Sequence, residues 1–245
     1  MLDKQPKVVM ALMAGTSVDG EAKLPTEKLR RRTKTRDMLL SAARELMSAR
    51  AKAGFTVDDI VQSAGVAKGS FYNHFADKEA LAKEVFKTIR AKEEREIEAV
   101  NKSVQEPAVR IARAMSVYAR FALTSPDEAR IITQGQVDAL SIQSSMNAGL
   151  VSDLAEGLRT GRLVTPSIEA AALLVIGQTA VLLSRLQIVN GRDAAASLAQ
   201  QCIALTLLGL GLDHRAAHLA SAQAVEEILR NKDEPACGGA MPEIG

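Results

Sequence analysis

One run of the chain concentrates polar and cationic side chains at helical spacing: Phe55 to Leu81, FTVDDIVQSAGVAKGSFYNHFADKEAL. Lys68, Ser70, Tyr72, Asn73 and His74 fall within one short helical stretch, with Thr56 before them and Lys78 after. These are hydrogen-bond donors and cations without a partnered nucleophile and base. They suit phosphate oxygens and base edges better than covalent or acid–base chemistry. Upstream, Lys28, Arg30, Arg31, Arg32, Lys34 and Arg36 form a basic run that can grip phosphates or the minor groove, or can be a solvated leader. From Lys28 to Arg90 there are 14 Lys/Arg against 7 Asp/Glu, a balance of +7, although the whole chain carries only +2. A basic block on an otherwise acidic chain points to a local polyanion site.

Other reactive residues offer less. His214 and His218 are four apart and can share a helix face, but no third metal ligand accompanies them. Cys202 lies in an apolar helical pattern and Cys237 in a Gly/Pro-rich tail, which is no disulfide framework. No phosphate-cradling glycine loop is evident. The pattern therefore implies no enzyme, no catalytic residue, no metal site and no cofactor.

The elements needed to position these side chains are helices. Leu39, Ala42, Ala43, Leu46 and Met47 form one stripe, predicting a helix from about Thr35 to Ala51. Thr56, with Asp59 three residues on, can cap a second helix that buries Ile60, Val61 and Ala64. Gly65 permits the tight turn into a third, about Lys68 to Phe75, which buries Phe71 and Phe75. Asp77 caps a fourth through Leu81, Val85 and Ile89. Two short helices crossing steeply at a glycine make a helix-turn-helix, whose second helix fits the major groove.

Beyond Ser103, Pro107 and Pro126 open helices; Gln136 to Arg159 is either one long helix or is broken at Gly149. Ser167 to Asn190 and Asp193 to Leu212 are nearly apolar, and residues 213–231 make a last helix. Apolar helices of this kind need burial on both sides, which predicts a homodimer pairing helices about 167–190 and 193–212 with those of a second copy. The uncharged run Ala170 to Leu183 is too short to span a bilayer, and Val8 to Ala14 is too weak for a signal peptide. The expectation is a cytoplasmic protein without a membrane partner.

The pieces Ala64-Gly65-Val66, Lys68-Gly69-Ser70-Phe71-Tyr72, His74-Phe75 and Lys78-Glu79-Ala80-Leu81 resemble the DNA-binding domain of the TetR family of bacterial regulators. The resemblance covers about Thr35 to Val85. It departs from the family pattern at Ala51, Val61, Ala67 and Ala80. It implies an all-α protein: an N-terminal three-helix helix-turn-helix domain (28–88), then a C-terminal helical effector-binding and dimerisation domain (89–231). An extension (1–27) and a flexible tail (232–245) would flank them. By the same resemblance, Thr56, Tyr72, His74 and Lys78 would hold phosphates. Lys68, Ser70 and Asn73 would read bases, Gly69 would allow close backbone approach, and Arg30, Arg31, Arg32 and Arg36 would supply the basic arm. The implied function is a repressor that binds a palindromic double-stranded operator as a homodimer and is released by a small molecule. A ligand-independent DNA-binding protein or an activator of the same fold is the alternative. Met115, Tyr118, Phe121, Gln136 and Gln178 are the candidate effector-binding residues.

Overall fold

The computed structural model describes residues 24–49, 54–134, 144 and 147–230. Gln136, Ala51, Cys237 and the flanks 1–23 and 231–245 lie outside them. The described residues form α1 (Leu24–Ala49), α2 (Val57–Ala64), α3 (Lys68–Tyr72), α4 (Lys78–Asn101), α5 (Pro107–Thr124), α6 (Pro126–Gln134), α7 (Ala148–Arg159), α8 (Ile168–Leu186), α9 (Arg192–Gly209) and α10 (His214–Val225). A π-helical turn, Glu226–Arg230, follows α10. No strand occurs among the described residues, so the fold is all-α.

The local signals behave as their chemistry requires. Thr56 and Asp59 close a reciprocal capping box at the start of α2. The Asp59 amide donates to Thr56 Oγ1 at 3.1 Å, and the Thr56 amide donates to Asp59 Oδ2 at 2.8 Å. Gly65 ends α2 at φ 65°, the left-handed conformation that only glycine adopts cheaply. Asp77 caps α4 and Ser167 caps α8 through the amides of Ala80 and Ala170. Pro107 opens α5 and Pro126 opens α6.

Several boundaries differ from the sequence pattern. The first helix begins at Leu24, not near Thr35, so the basic run and the last residues of the expected extension are helical. Lys, Arg and Glu are good helix formers, and Glu27 lies 4.0 Å from Arg31, an i,i+4 pair. The third helix stops at Tyr72 because the chain turns at Asn73-His74 before Asp77. Asn147 precedes α7, which excludes a continuous helix from Gln136 to Arg159. The eighth helix ends at Leu186, four residues short of Asn190.

Leu39, Ala43, Ile60, Phe71, Leu81, Val85 and Ile89 pack α1–α4 into a small N-terminal core. The C-terminal helices pack around α5, whose face Ile111, Met115, Tyr118, Ala119 and Ala122 is buried. Among the described residues two connections join the halves. One is α4 itself, which runs without a break from the turn after α3 to the wall of the C-terminal bundle. The other is a polar bridge from α1 to α6: Ser48 Oγ donates to Asp127 Oδ1 at 2.8 Å, Arg130 donates to the Ser48 carbonyl, and Arg44 pairs with Glu128 at 3.4 Å.

Among the described residues α8 is the one helix long and apolar enough to cross a membrane by length and composition; at 19 residues it exceeds the uncharged run seen in the sequence. Its inner face, Ala171, Ala172, Val175, Leu182, Leu183 and Leu186, is buried in the bundle. Its outer face leaves Leu173, Leu174 and Val181 exposed. The ninth helix is less uniformly apolar than expected, since Ser197 and Gln201 share its outer side with Leu205.

Candidate functional site

The reading face is built on α3. Phe71 is fully buried and anchors that helix, with its ring 5.3 Å edge-on to Tyr72 and 5.9 Å from Phe75. This fixes the helical phase: Lys68, Gly69, Tyr72 and Asn73 are exposed, while Ser70 and His74 are half-buried. No side chain caps α3.

A Cβ built at Gly69 meets nothing within 4 Å. Nothing inside the protein therefore demands glycine there, which fits a surface approached closely from outside. Lys68 Nζ lies 2.8 Å from Asp58, and this carboxylate holds the Lys68 pKa above its ordinary value. Lys78 Nζ donates to the Phe55 carbonyl at 3.3 Å and sits 5.9 Å from the Phe55 ring centre. It thus fastens the start of α4 to the entry of α2.

Arg36 is less free than an arm residue should be. It pairs with Glu84 at 2.7 Å and lies over the Phe75 ring at 5.6 Å. Arg30, Arg31 and Arg32 are exposed on α1. Burial, then the positive fields of Arg32 and Arg36, depresses the His74 pKa. That coupling puts Arg32 and Arg36 of α1 near His74, just past the C-terminal end of the reading helix.

A second site is a cavity of about 290 Å³ inside the C-terminal bundle, bounded by α4, α5, α6, α7 and α8. Met115 and Tyr118 line it. Phe121, one turn further along α5, is instead enclosed in the core. Gln178 is also absent from the lining, because the phase of α8 that presents Ile176, Thr179, Ala180 and Leu183 turns Gln178 away. Gln136 lies outside the described residues.

The sequence pattern missed the polar wall. Arg90 Nη2 lies 2.9 Å from Glu94 Oε1 and donates to Asn147 Oδ1 at 3.2 Å. Tyr118 donates to the same Glu94 oxygen at 3.0 Å, and the Arg90 guanidinium lies 5.1 Å from the Tyr118 ring centre. On another side Arg110 Nε lies 2.6 Å from Asp153 Oδ1. Burial raises the pKa of Glu94, Tyr118 and Asp153, partly opposed for each carboxyl by its arginine. A signal was available: Phe86, Arg90, Glu94 and Ile97 recur at helical spacing on α4 and form one stripe facing the cavity.

His214 and His218 stack with ring centres 4.3 Å apart on the exposed start of α10, and no group of three metal-ligating side chains occurs among the described residues.

A capped helix-turn-helix with an exposed polar reading helix and a basic flank, set on an all-helical second unit, defines a DNA-binding transcription regulator. Residues 39–85 match the family model described as bacterial regulatory proteins, tetR family. The chain therefore carries a match to that family's model across its helix-turn-helix unit, from α1 into α4. It is 27% identical over 176 residues to the HTH-type transcriptional repressor DhaR of Mycobacterium sp. (strain GP1), covering 66% of this chain and 87% of that protein. Among solved structures it resembles a tetR family transcription regulator from Shewanella sp. PV-4: TM-score 0.61, 18% identity, 73% of this chain and 99% of the other. It also resembles RolR in complex with resorcinol: TM-score 0.56, 21% identity, 80% and 96% covered.

Proposed function

We propose that this chain is a ligand-responsive repressor that binds a palindromic operator as a homodimer and releases it when a small molecule fills the α4–α8 cavity. The observation that carries this reading is α4. Asp77 and Lys78 set its start beside the reading helix, and Phe86, Arg90 and Glu94 on the same rigid element wall the cavity. A ligand that prefers one placement of α4 biases the placement of α3, and the size of that preference sets the size of the response.

The homodimer is supported by the exposed apolar face Leu173, Leu174 and Val181 of α8, continued by Ile188 and by Leu205 of α9. Two such faces packed together form an isologous four-helix contact. DhaR is named a repressor, and repression is the reading adopted here. On the DNA face, Tyr72, His74, Thr56 and Lys78 hold phosphates with Arg30, Arg31 and Arg32. Lys68, Ser70 and Asn73 read base edges, and Arg36 acts chiefly as a brace.

Selection of bound fragments from random DNA, followed by release assays with small molecules, tests this reading. The expected result is a two-fold symmetric sequence bound by two copies and released by at least one compound. Binding that no compound weakens favours the ligand-independent alternative, and asymmetric single-copy binding overturns the homodimer.

A further inference from the structure

The cavity wall is polar, yet its two arginines are already paired. Arg90 is held by Glu94 and Asn147. Arg110 is held by Asp153 and by the carbonyls of Asn101 and Val104, each at 3.2 Å. The Tyr118 hydroxyl hydrogen goes to Glu94, and the Thr179 hydroxyl donates to the Val175 carbonyl at 2.7 Å. An anionic ligand would compete with Glu94 and Asp153 for these arginines and would meet the like charge of Glu94, Glu98 and Asp153 in the same lining.

What remains open on these groups is acceptor capacity. Arg90 and Tyr118 both engage Oε1 of Glu94, and Arg110 engages Oδ1 of Asp153. The second oxygen of each carboxylate and the lone pairs of the Tyr118 and Thr179 hydroxyls can still accept. Apart from Glu98 and the start of α7, the rest of the lining is apolar and includes Phe86, Ile97, Ile111, Met115, Ile132 and Leu183.

We infer that the cavity selects a small, uncharged ligand with an apolar skeleton and hydroxyl groups that donate to Glu94 and Asp153, and that it rejects carboxylates and acceptor-only ethers or esters of the same shape. This rests on the reading of the cavity as the effector site. It extends that reading from a place to a chemistry. The specificity is strong in principle, because a carboxylate placed to receive a hydroxyl gains nothing from a methyl ether.

The test is a matched panel titrated against the full chain by calorimetry: dihydroxybenzenes and dihydroxynaphthalenes, their dimethyl ethers, and the corresponding hydroxybenzoates and hydroxynaphthoates. At least one diol is expected to bind once per chain, about tenfold or more tighter than its ether and its carboxylate. Glu94→Gln and Asp153→Asn should each weaken that diol by about tenfold. Thr179→Val, nearly isosteric, gives a third reading if either carboxyl variant fails to fold. No diol binding, an ether or carboxylate binding as tightly as its diol, or diol affinity indifferent to the substitutions overturns the inference. DNA release is scored separately. A diol that binds with the expected selectivity but leaves the DNA complex intact overturns the effector reading and keeps the ligand class. Release by a carboxylate or ether alone keeps the effector reading and overturns the ligand class.

Discussion

At Gly69 and His74 the interests of the folded chain and of its partner separate. Gly69 lies in α3 with open space where a Cβ would be. Gly69→Ala should therefore stabilise the free protein by up to about 1 kcal/mol through helix propensity, while weakening DNA binding by obstructing close approach. Thermal unfolding and a binding isotherm on the same sample check both halves; unchanged affinity would remove Gly69 from the interface. Burial and two arginines depress the His74 pKa. A DNA phosphate beside it would raise that pKa, so binding takes up a proton. Affinity should then rise as pH falls towards and below the ordinary histidine pKa of about 6.5, and His74→Gln should flatten the trend at constant salt. An identical pH trend in the variant would sink the assignment. Thr56, Gly65 and Asp77 were legible from the residues alone because their roles are local: each acts within a few positions of itself.

Between elements, legibility falls. The amphipathic stripes of α1 and α4 gave the N-terminal core correctly, but the sequence offered no sign that Glu93 is buried at 1% exposure on α4. Its helical neighbours are charged, and only the packing of α4 against α1, α5 and α6 removes it from water. Loss of hydration raises its pKa to about 7; Glu96 and Glu128 push the same way, and Lys92 and Arg120 partly oppose them. The folded form thus holds its proton where the unfolded chain has lost it. Stability is greatest below about 4.5, the ordinary carboxyl value, and declines as pH rises from there to about 7. Glu93→Gln should accordingly raise stability by on the order of 2 kcal/mol at pH 8 and much less at pH 5. Urea unfolding at the two pH values reads the difference, and an equal effect at both contradicts it. The cavity lining was not legible for the same reason: which of Phe121, Gln178, Arg90 and Asp153 faces the space depends on where the cavity ends and on the phase of the facing helix, and neither is local.

Over the whole molecule, the strongest unmet demand is the apolar outer face of α8. Val181 is 66% exposed and Leu205 is 64% exposed, large apolar side chains left in water on neighbouring helices. Val181→Asp should yield a folded monomer by light scattering with little loss of helicity, and that monomer should bind a full two-fold site far more weakly. A variant that remains dimeric would move the interface elsewhere. The two-domain division was legible because a basic, aromatic segment gives way to an aliphatic one, although the junction is less clean than the composition implied. The helix-turn-helix unit is fastened to the bundle twice, once through α4 and again where Ser48 meets Asp127 and Arg130. Any displacement of α4 within the bundle therefore acts on the reading head and, at the same time, loads the Ser48 contacts, so the strength of that small polar bridge weighs directly on how readily the DNA face responds.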